Sequence, residues 1–209
     1  MDGDVELRCR CGKVHGWLKG TAPSTVNRMV CYCSDCQAFL HHLGRADLMD
    51  AHGGTEIVQV PPNSISYDRG TELIAGVRLA PGGMHRWYAS CCKTPLGNTR
   101  TPALPFVGLP HEVLFGAPSP ERRTEAFGPN RGAVALERAI GGIPEGVVKP
   151  KASSLLRVVW LLLGWKLSGK AWPHPFFERN APGPKFPLTE LSPAEREGLR
   201  SRCGPNPSV

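Results

Sequence analysis

Apolar and polar residues alternate from Val5 to Arg8 and again from Val14 to Leu18, on either side of Gly12. That pattern predicts a hairpin across residues 5–20 with Cys9 and Cys11 at its turn. Further strand-like runs are Glu56 to Val60, Ile65 to Tyr67, Glu72 to Leu79 and Arg86 to Ala89. Pro61-Pro62-Asn63 and Asp68-Arg69-Gly70 punctuate them as turns. The stretch from residue 1 to 116 therefore predicts an antiparallel β domain.

Beyond residue 116 the pattern changes. Asn130 to Ile140 predicts one short helix, and Gly141 to Lys151 a linker. Leu155 to Leu167 is strongly apolar, yet it is shorter than the roughly 20 residues a membrane span needs and it contains Arg157. The favoured expectation is a helix lying on the β domain with Trp160 and Trp165 in core packing. Membrane-surface contact through 155–167 is the less favoured one. The prolines between Pro173 and Pro187 exclude a long helix there. Ser192-Pro193-Ala194-Glu195 then supplies an N-cap, a first-turn proline and a capping-box acid, predicting a short final helix to about Arg200. The chain thus divides into a mainly β domain (1–116) and an extension (117–209) with a few helices and a Pro-rich tail.

Composition changes the picture in two ways. Gly (24) and Pro (21) together are about a fifth of the 209 residues, so many turns and little regular helix are expected around an ordinary core. The formal net charge of +7 favours acidic partners, but Lys and Arg are scattered with no block of five. Arg69 and Arg78 lack the interleaved aromatic ladder that single-stranded nucleic acid needs, so there is no clear nucleic-acid signature. The start Met1-Asp2-Gly3-Asp4 is acidic where a secretory signal needs basic residues. A reducing, cytoplasmic location is expected, where eight cysteines point to metal or redox chemistry rather than to disulfides.

Those cysteines fall into groups: Cys9-Arg10-Cys11, Cys31-Tyr32-Cys33-Ser34-Asp35-Cys36 and Cys91-Cys92. Residues i and i+2 of a strand share a face, so a Cys-x-Cys pair aims two sulfurs at one point. Cys36 adds a third sulfur to Cys31 and Cys33. Three thiolates hold zinc with one tetrahedral corner open, as a reactive site requires. Cys9 and Cys11 need partners from elsewhere; a four-sulfur structural site built with Cys92, and with Cys91 as the candidate fourth ligand, is the expectation. Cys203 lies apart in the tail.

Cys31-Tyr32-Cys33-Ser34-Asp35-Cys36 resembles the C-x-C-x-x-C segment of the glutathione-dependent formaldehyde-activating enzyme family, which includes centromere protein V. Cys9-x-Cys11-Gly12 resembles that family's first zinc pair, and Cys92-Lys93-Thr94-Pro95-Leu96 its Cys-Gly-Thr-Pro-Leu turn. The resemblance covers about residues 5–100. It implies an Mss4-like twisted sheet of hairpins, one structural zinc and a second zinc held by three cysteines. It also implies carbon–sulfur lyase or synthase chemistry on a small thiol adduct such as glutathione plus formaldehyde, with Cys31, Cys33 and Cys36 as the catalytic set. A non-enzymatic zinc-binding interaction module is the alternative. The sequence departs from the family at Ala89, where the family has a cysteine three before Cys92, and at Lys93, where it has glycine.

Other polar residues carry lesser expectations. His41 and His42 are read as a solvated helix face, His85 as a strand-end surface residue and Asp35 as a turn cap bonded to backbone amides. Arg86 is left between a substrate carboxylate and the flank of the sheet.

Overall fold

The computed structural model describes residues 4–205. Met1 to Gly3, part of the acidic start noted above, and residues 206–209 lie outside the described residues. The elements in chain order begin with β1 (Val5–Arg8), β2 (His15–Leu18), β3 (Asn27–Cys31), α1 (Ser34–His42), β4 (Thr55–Val60), β5 (Ile65–Arg69) and β6 (Ile74–Arg78). There follow β7 (His85–Ala89), β8 (Pro95–Thr99), β9 (Val107–Pro110), α2 (Pro120–Phe127), β10 (Ala133–Val134), α3 (Ala152–Leu167), β11 (Leu188–Glu190) and α4 (Pro193–Arg200).

The fold is mainly β. One sheet has the order β1-β2-β5, and a larger one the order β10-β3-β4-β9-β8-β7-β6-β11. The large sheet is mixed, because its two edges are parallel pairs: β10 beside β3 and β11 beside β6. Both edge strands come from beyond residue 116, and its interior pairs are antiparallel. The first hairpin forms as its alternation predicts, with Val5 and Leu7 buried and Glu6 and Arg8 half-exposed. Gly16 lets β5 approach closely, since a Cβ there would run into the Ser66 carbonyl oxygen.

One core joins the sheets. It holds Leu7 and Leu18 from the hairpin, Val58, Trp87, Leu96 and Leu109 from the large sheet, and Phe176 and Phe177 from the proline-rich tail. Trp87 stacks between His85 and Phe176, with ring centroids 5.8 and 4.8 Å apart. Its indole N–H donates to Thr99 Oγ1 at 2.9 Å. The tail contains no helix between Pro173 and Pro187, and α4 carries the expected Ser192–Glu195 capping box.

Three expectations are corrected. Residues 130–140 form no α-helix: Ala133–Val134 pair with β3 and a single 3₁₀ turn follows. Gly132 and Ala135 both take positive φ, which interrupts any helical run. The apolar run does form a helix, but only one side of it faces the body. Trp165 is buried, whereas Trp160 is 72% exposed. His85 is buried rather than superficial. It accepts from Arg78 Nη2 at 2.7 Å and donates from Nδ1 to the Arg100 carbonyl at 3.0 Å, which sets its neutral tautomer.

A buried ion cluster ties β3 and β4 to α2. Glu56 accepts from Arg28 Nε at 2.8 Å and from Arg123 Nε at 2.6 Å. Arg28 also donates to Thr124 Oγ1 and to the Gly128 carbonyl. Burial pushes the Glu56 pKa up, but the two guanidiniums outweigh it and leave the carboxyl below the usual glutamate range. A depressed folded pKa means that its contribution is full above the unfolded glutamate pKa and is lost as pH falls through the folded one. Glu56→Gln should cost on the order of 3 kcal/mol at neutral pH, because two buried cations lose their counter-charge. Denaturant melts at neutral and acid pH would check this: the gap between wild type and variant should narrow as the pH drops.

Candidate metal centres

The first sulfur group is built from two turns. Cys9 follows β1, and its sulfur accepts the Val14 N–H at 3.2 Å, fixing the connection to β2. The second turn links β7 to β8. There Lys93 takes φ +58°, its N–H donates to the Ala89 carbonyl and the Ala89 N–H donates to the Thr94 carbonyl. This tight turn is what lets the adjacent side chains of Cys91 and Cys92 converge, with their sulfurs 3.8 Å apart. Lys93 therefore sits in the left-handed region that favours glycine. Thr94 Oγ1 accepts the Arg10 N–H at 2.9 Å, locking one turn to the other.

Sγ–Sγ distances in this group are 3.6 Å for Cys9–Cys11, 4.0 Å for Cys9–Cys91 and 3.4 Å for Cys11–Cys91. All four sulfurs, Cys92 included, lie within 4.8 Å of one another. Thiolates around a tetrahedral zinc stand about 3.8 Å apart, given Zn–S bonds of about 2.3 Å. The spacing and the donor type both fit a metal ion.

The second group sits where β3 gives way to α1. Cys31 ends the strand, Cys33 is the helix N-cap with its sulfur accepting the Cys36 N–H at 3.4 Å, and Cys36 lies in the first turn. The Cys31 and Cys36 sulfurs are 3.6 Å apart, and all three lie within 4.8 Å of one another. Their place at a helix N-terminus favours ionised sulfur. The two groups bring together all seven cysteines singled out from the sequence. Cys203 stands outside both, its thiol on the Ser34 and Leu199 carbonyls.

Behind the three sulfurs lies Arg86, only 2% exposed. Its Nη1 is 3.7 Å from Cys36 Sγ and 3.3 Å from Asn98 Oδ1, and its guanidinium lies over the Phe39 ring. Arg86 is therefore neither a surface contact for a carboxylate nor a flank of the sheet; it backs the sulfurs. Hydrogen bonding from Cys31 and Cys33, then the Arg86 charge, holds the Cys36 thiol well below the ordinary range. Its neighbours' sulfurs and burial push Cys31 well above it. In the four-sulfur group, Cys92 falls to about 6: hydrogen bonds with Thr94 and Cys11 overcome its desolvation. Burial raises Cys9 and Cys91. Packed thiols without a cation hold one charge among them, and a dication lets all of them ionise.

Gln37, fully buried in α1, braces the helix. Its Nε2 donates to the Tyr32 and Arg138 carbonyls and its Oε1 accepts the Gly204 N–H at 2.7 Å. Asp35 pairs with Arg200 at 3.3 Å and Arg86 at 4.0 Å instead of capping backbone amides; Cys33 is the cap. His41 and His42 lie in the last turn of α1, where His41 Nε2 meets the Arg202 carbonyl. Sequence reasoning missed Gln37 and Asn98 and left Arg86 undecided. The available signal was a cation between His85 and Trp87 in a strand whose other face is apolar.

Lys93→Gly should relieve left-handed strain and stabilise the turn by about 1 kcal/mol. Thermal melts with the metal content held constant would check it. A fall in Tm would mean that the Lys93 contact with the Tyr88 ring, 5.2 Å away, outweighs the strain.

A model for the family described as "Family of unknown function (DUF6151)" matches residues 1–186. No curated protein matches the chain. Among solved structures, the crystal structure of a Rhodobacter sphaeroides protein, a Northeast Structural Genomics target, is 17% identical. The similarity covers 56% of this chain and 92% of that one, with a TM-score of 0.40.

Proposed function

The chain belongs to the DUF6151 family, and we propose that it binds two zinc ions, one structural and one open, and works as a carbon–sulfur lyase or synthase on a small thiol adduct. The observation that carries this reading is the contrast between four convergent sulfurs in one group and three in the other. Cys9, Cys11, Cys91 and Cys92 would close a shell. Cys31, Cys33 and Cys36 would leave a corner for a ligand from outside. A mainly β body with thiol clusters at its strand ends supports grouping it with Mss4-like folds and with the formaldehyde-activating and centromere protein V family.

Zinc held by the three thiolates would supply an electrophilic position at which a substrate thiol is kept ionised at neutral pH. The chain's own residues set the electrostatics there. Three thiolates around a dication would carry one net negative charge, which the buried Arg86 guanidinium would offset. The α1 N-terminus stabilises the same sulfurs. In the synthase direction the thiol sulfur of glutathione bonds to the carbonyl carbon of formaldehyde, the C=O π bond opens, and the thiol proton ends on the new hydroxyl oxygen. The reverse breaks that C–S bond and returns the proton to sulfur. No oxidant or reductant enters. The formal charge of +7 suits an anionic tripeptide.

Mass spectrometry of native protein should give two zinc ions per chain and one in Cys33→Ser. Cys33→Ser should stay folded and lose glutathione binding in calorimetry, together with any acceleration of S-hydroxymethylglutathione exchange seen by NMR. Cys9→Ser should instead lower Tm steeply, since a structural zinc contributes on the order of 10 kcal/mol to a small domain. Two bound zinc ions with no glutathione binding would favour the non-enzymatic interaction module. Arg86→Met should weaken the zinc held by Cys31, Cys33 and Cys36 about 10- to 100-fold, with partial recovery in Arg86→Lys, measured by competition with a chromogenic chelator.

A further inference from the structure

We infer that the outer face of α3 is a docking surface for an anionic lipid bilayer, on which the helix lies flat. The helix has two faces. Ser154, Arg157, Val158, Leu161, Leu162 and Trp165 recur at the spacing of one helical side and are buried or half-buried. Arg157 anchors that side, its Nη2 donating to the carbonyls of Pro23, Ser24 and Val26 at 2.9, 2.7 and 3.1 Å. The opposite side presents Leu155, Leu156, Val159, Trp160, Leu163 and Leu167, each between 45 and 87% exposed. Their spacing makes one unbroken apolar stripe with a tryptophan inside it, about 18 Å long at 1.5 Å per residue. The inward clamp by Arg157 fixes which face looks out.

Charge selects the occupant. Between Gly146 and Phe177 the sequence holds no Asp or Glu, whereas Lys149, Lys151, Lys166 and Lys170 flank the stripe at both ends. An apolar stripe with an interfacial tryptophan and a basic border, and no acid, matches a bilayer with anionic headgroups. A second copy of the chain seated on the same face would bring lysines against lysines, which like-charge repulsion opposes. The helix would rest on the surface and not cross it: it has 16 residues, and no helix among the described residues is long and apolar enough to span a membrane.

The test is co-sedimentation of the full-length protein with vesicles of phosphatidylcholine alone and of phosphatidylcholine with phosphatidylserine. Binding is expected to the second and not to the first. Trp160→Ser with Leu163→Ser should lower the partition coefficient at least about tenfold, and Lys166→Gln about fivefold. Both should leave the thermal melt unchanged, because these side chains are exposed. A Leu155→Ser, Leu156→Ser variant repeats the test at the other end of the stripe, should the first pair disturb folding. Three results would overturn the inference: no sedimentation with either vesicle, equal binding to both, or binding that all variants retain. A dimer in light scattering that Trp160→Ser dissolves would overturn it as well, by showing a second copy on this face. None of these outcomes depends on zinc or on thiol chemistry.

Discussion

The structure depends on sulfur atoms from separate stretches of chain meeting at distances that one shared cation could bridge. Cys9 and Cys11 close the first hairpin, while Cys91 and Cys92 close a turn some 80 residues later, and their sulfurs come within 3.4–4.0 Å. Thiols gain little from packing against one another, and thiolates repel. What joins the small sheet to the end of β7 is otherwise modest: the Arg10–Thr94 hydrogen bond and the apolar core beneath. A metal ion would turn this near-contact into a strong tie between the two sheets, because every ligand bond formed is also folding free energy.

The two sulfur groups are built differently, and the difference bears on what each can do. The four-sulfur group lies in two turns with Cys11 and Cys91 exposed, and its geometry rests on backbone hydrogen bonds within and between those turns. The three-sulfur group lies between a strand end and a helix start, with a buried cation behind it and Gln37 bracing the helix from below. Removing a buried guanidinium's counter-charge is costly, so Arg86 and the three sulfurs constrain each other. A site meant only to staple the fold has no need of such a backing charge. A site that accepts a further anion does, since each added thiolate raises the negative charge that the surroundings must balance.

Much of this was legible in the chain. The alternation around Gly12, the turn at Pro61-Pro62 and the capping box at Ser192 each act over a few residues and form as their local chemistry dictates, whereas Asp68 and Arg69 end β5 and the chain turns only at Gly70. The grouping of cysteines was legible for the same reason, since Cys-x-Cys at a turn and Cys-x-x-Cys at a helix start are local geometries. What stayed hidden is long-range. Glu56 binding Arg28 and Arg123, Phe176 stacked on Trp87, and β10 and β11 adding to the sheet edges all require partners 28 to more than 100 positions away. The 130–140 stretch misled because its apolar spacing suits a helix, while two positive-φ residues and a parallel partner strand override that preference.

The apolar helix α3 shows why composition alone could not separate core from surface. A helix apolar all round is normally buried all round, and on that rule Trp160 and Trp165 were placed together in the core. They are five residues apart, far enough round the helix to face opposite ways, and only one of them finds protein to pack against. The bed on that side includes the carbonyls of Pro23, Ser24 and Val26, which hold Arg157. Six large apolar side chains left outside that bed exceed what solvent exposure alone would favour. With the sulfur groups at strand ends and turns, and α3 attached mainly through one side, the two proposals together would have the fold separate a metal centre from a face that holds it against a bilayer.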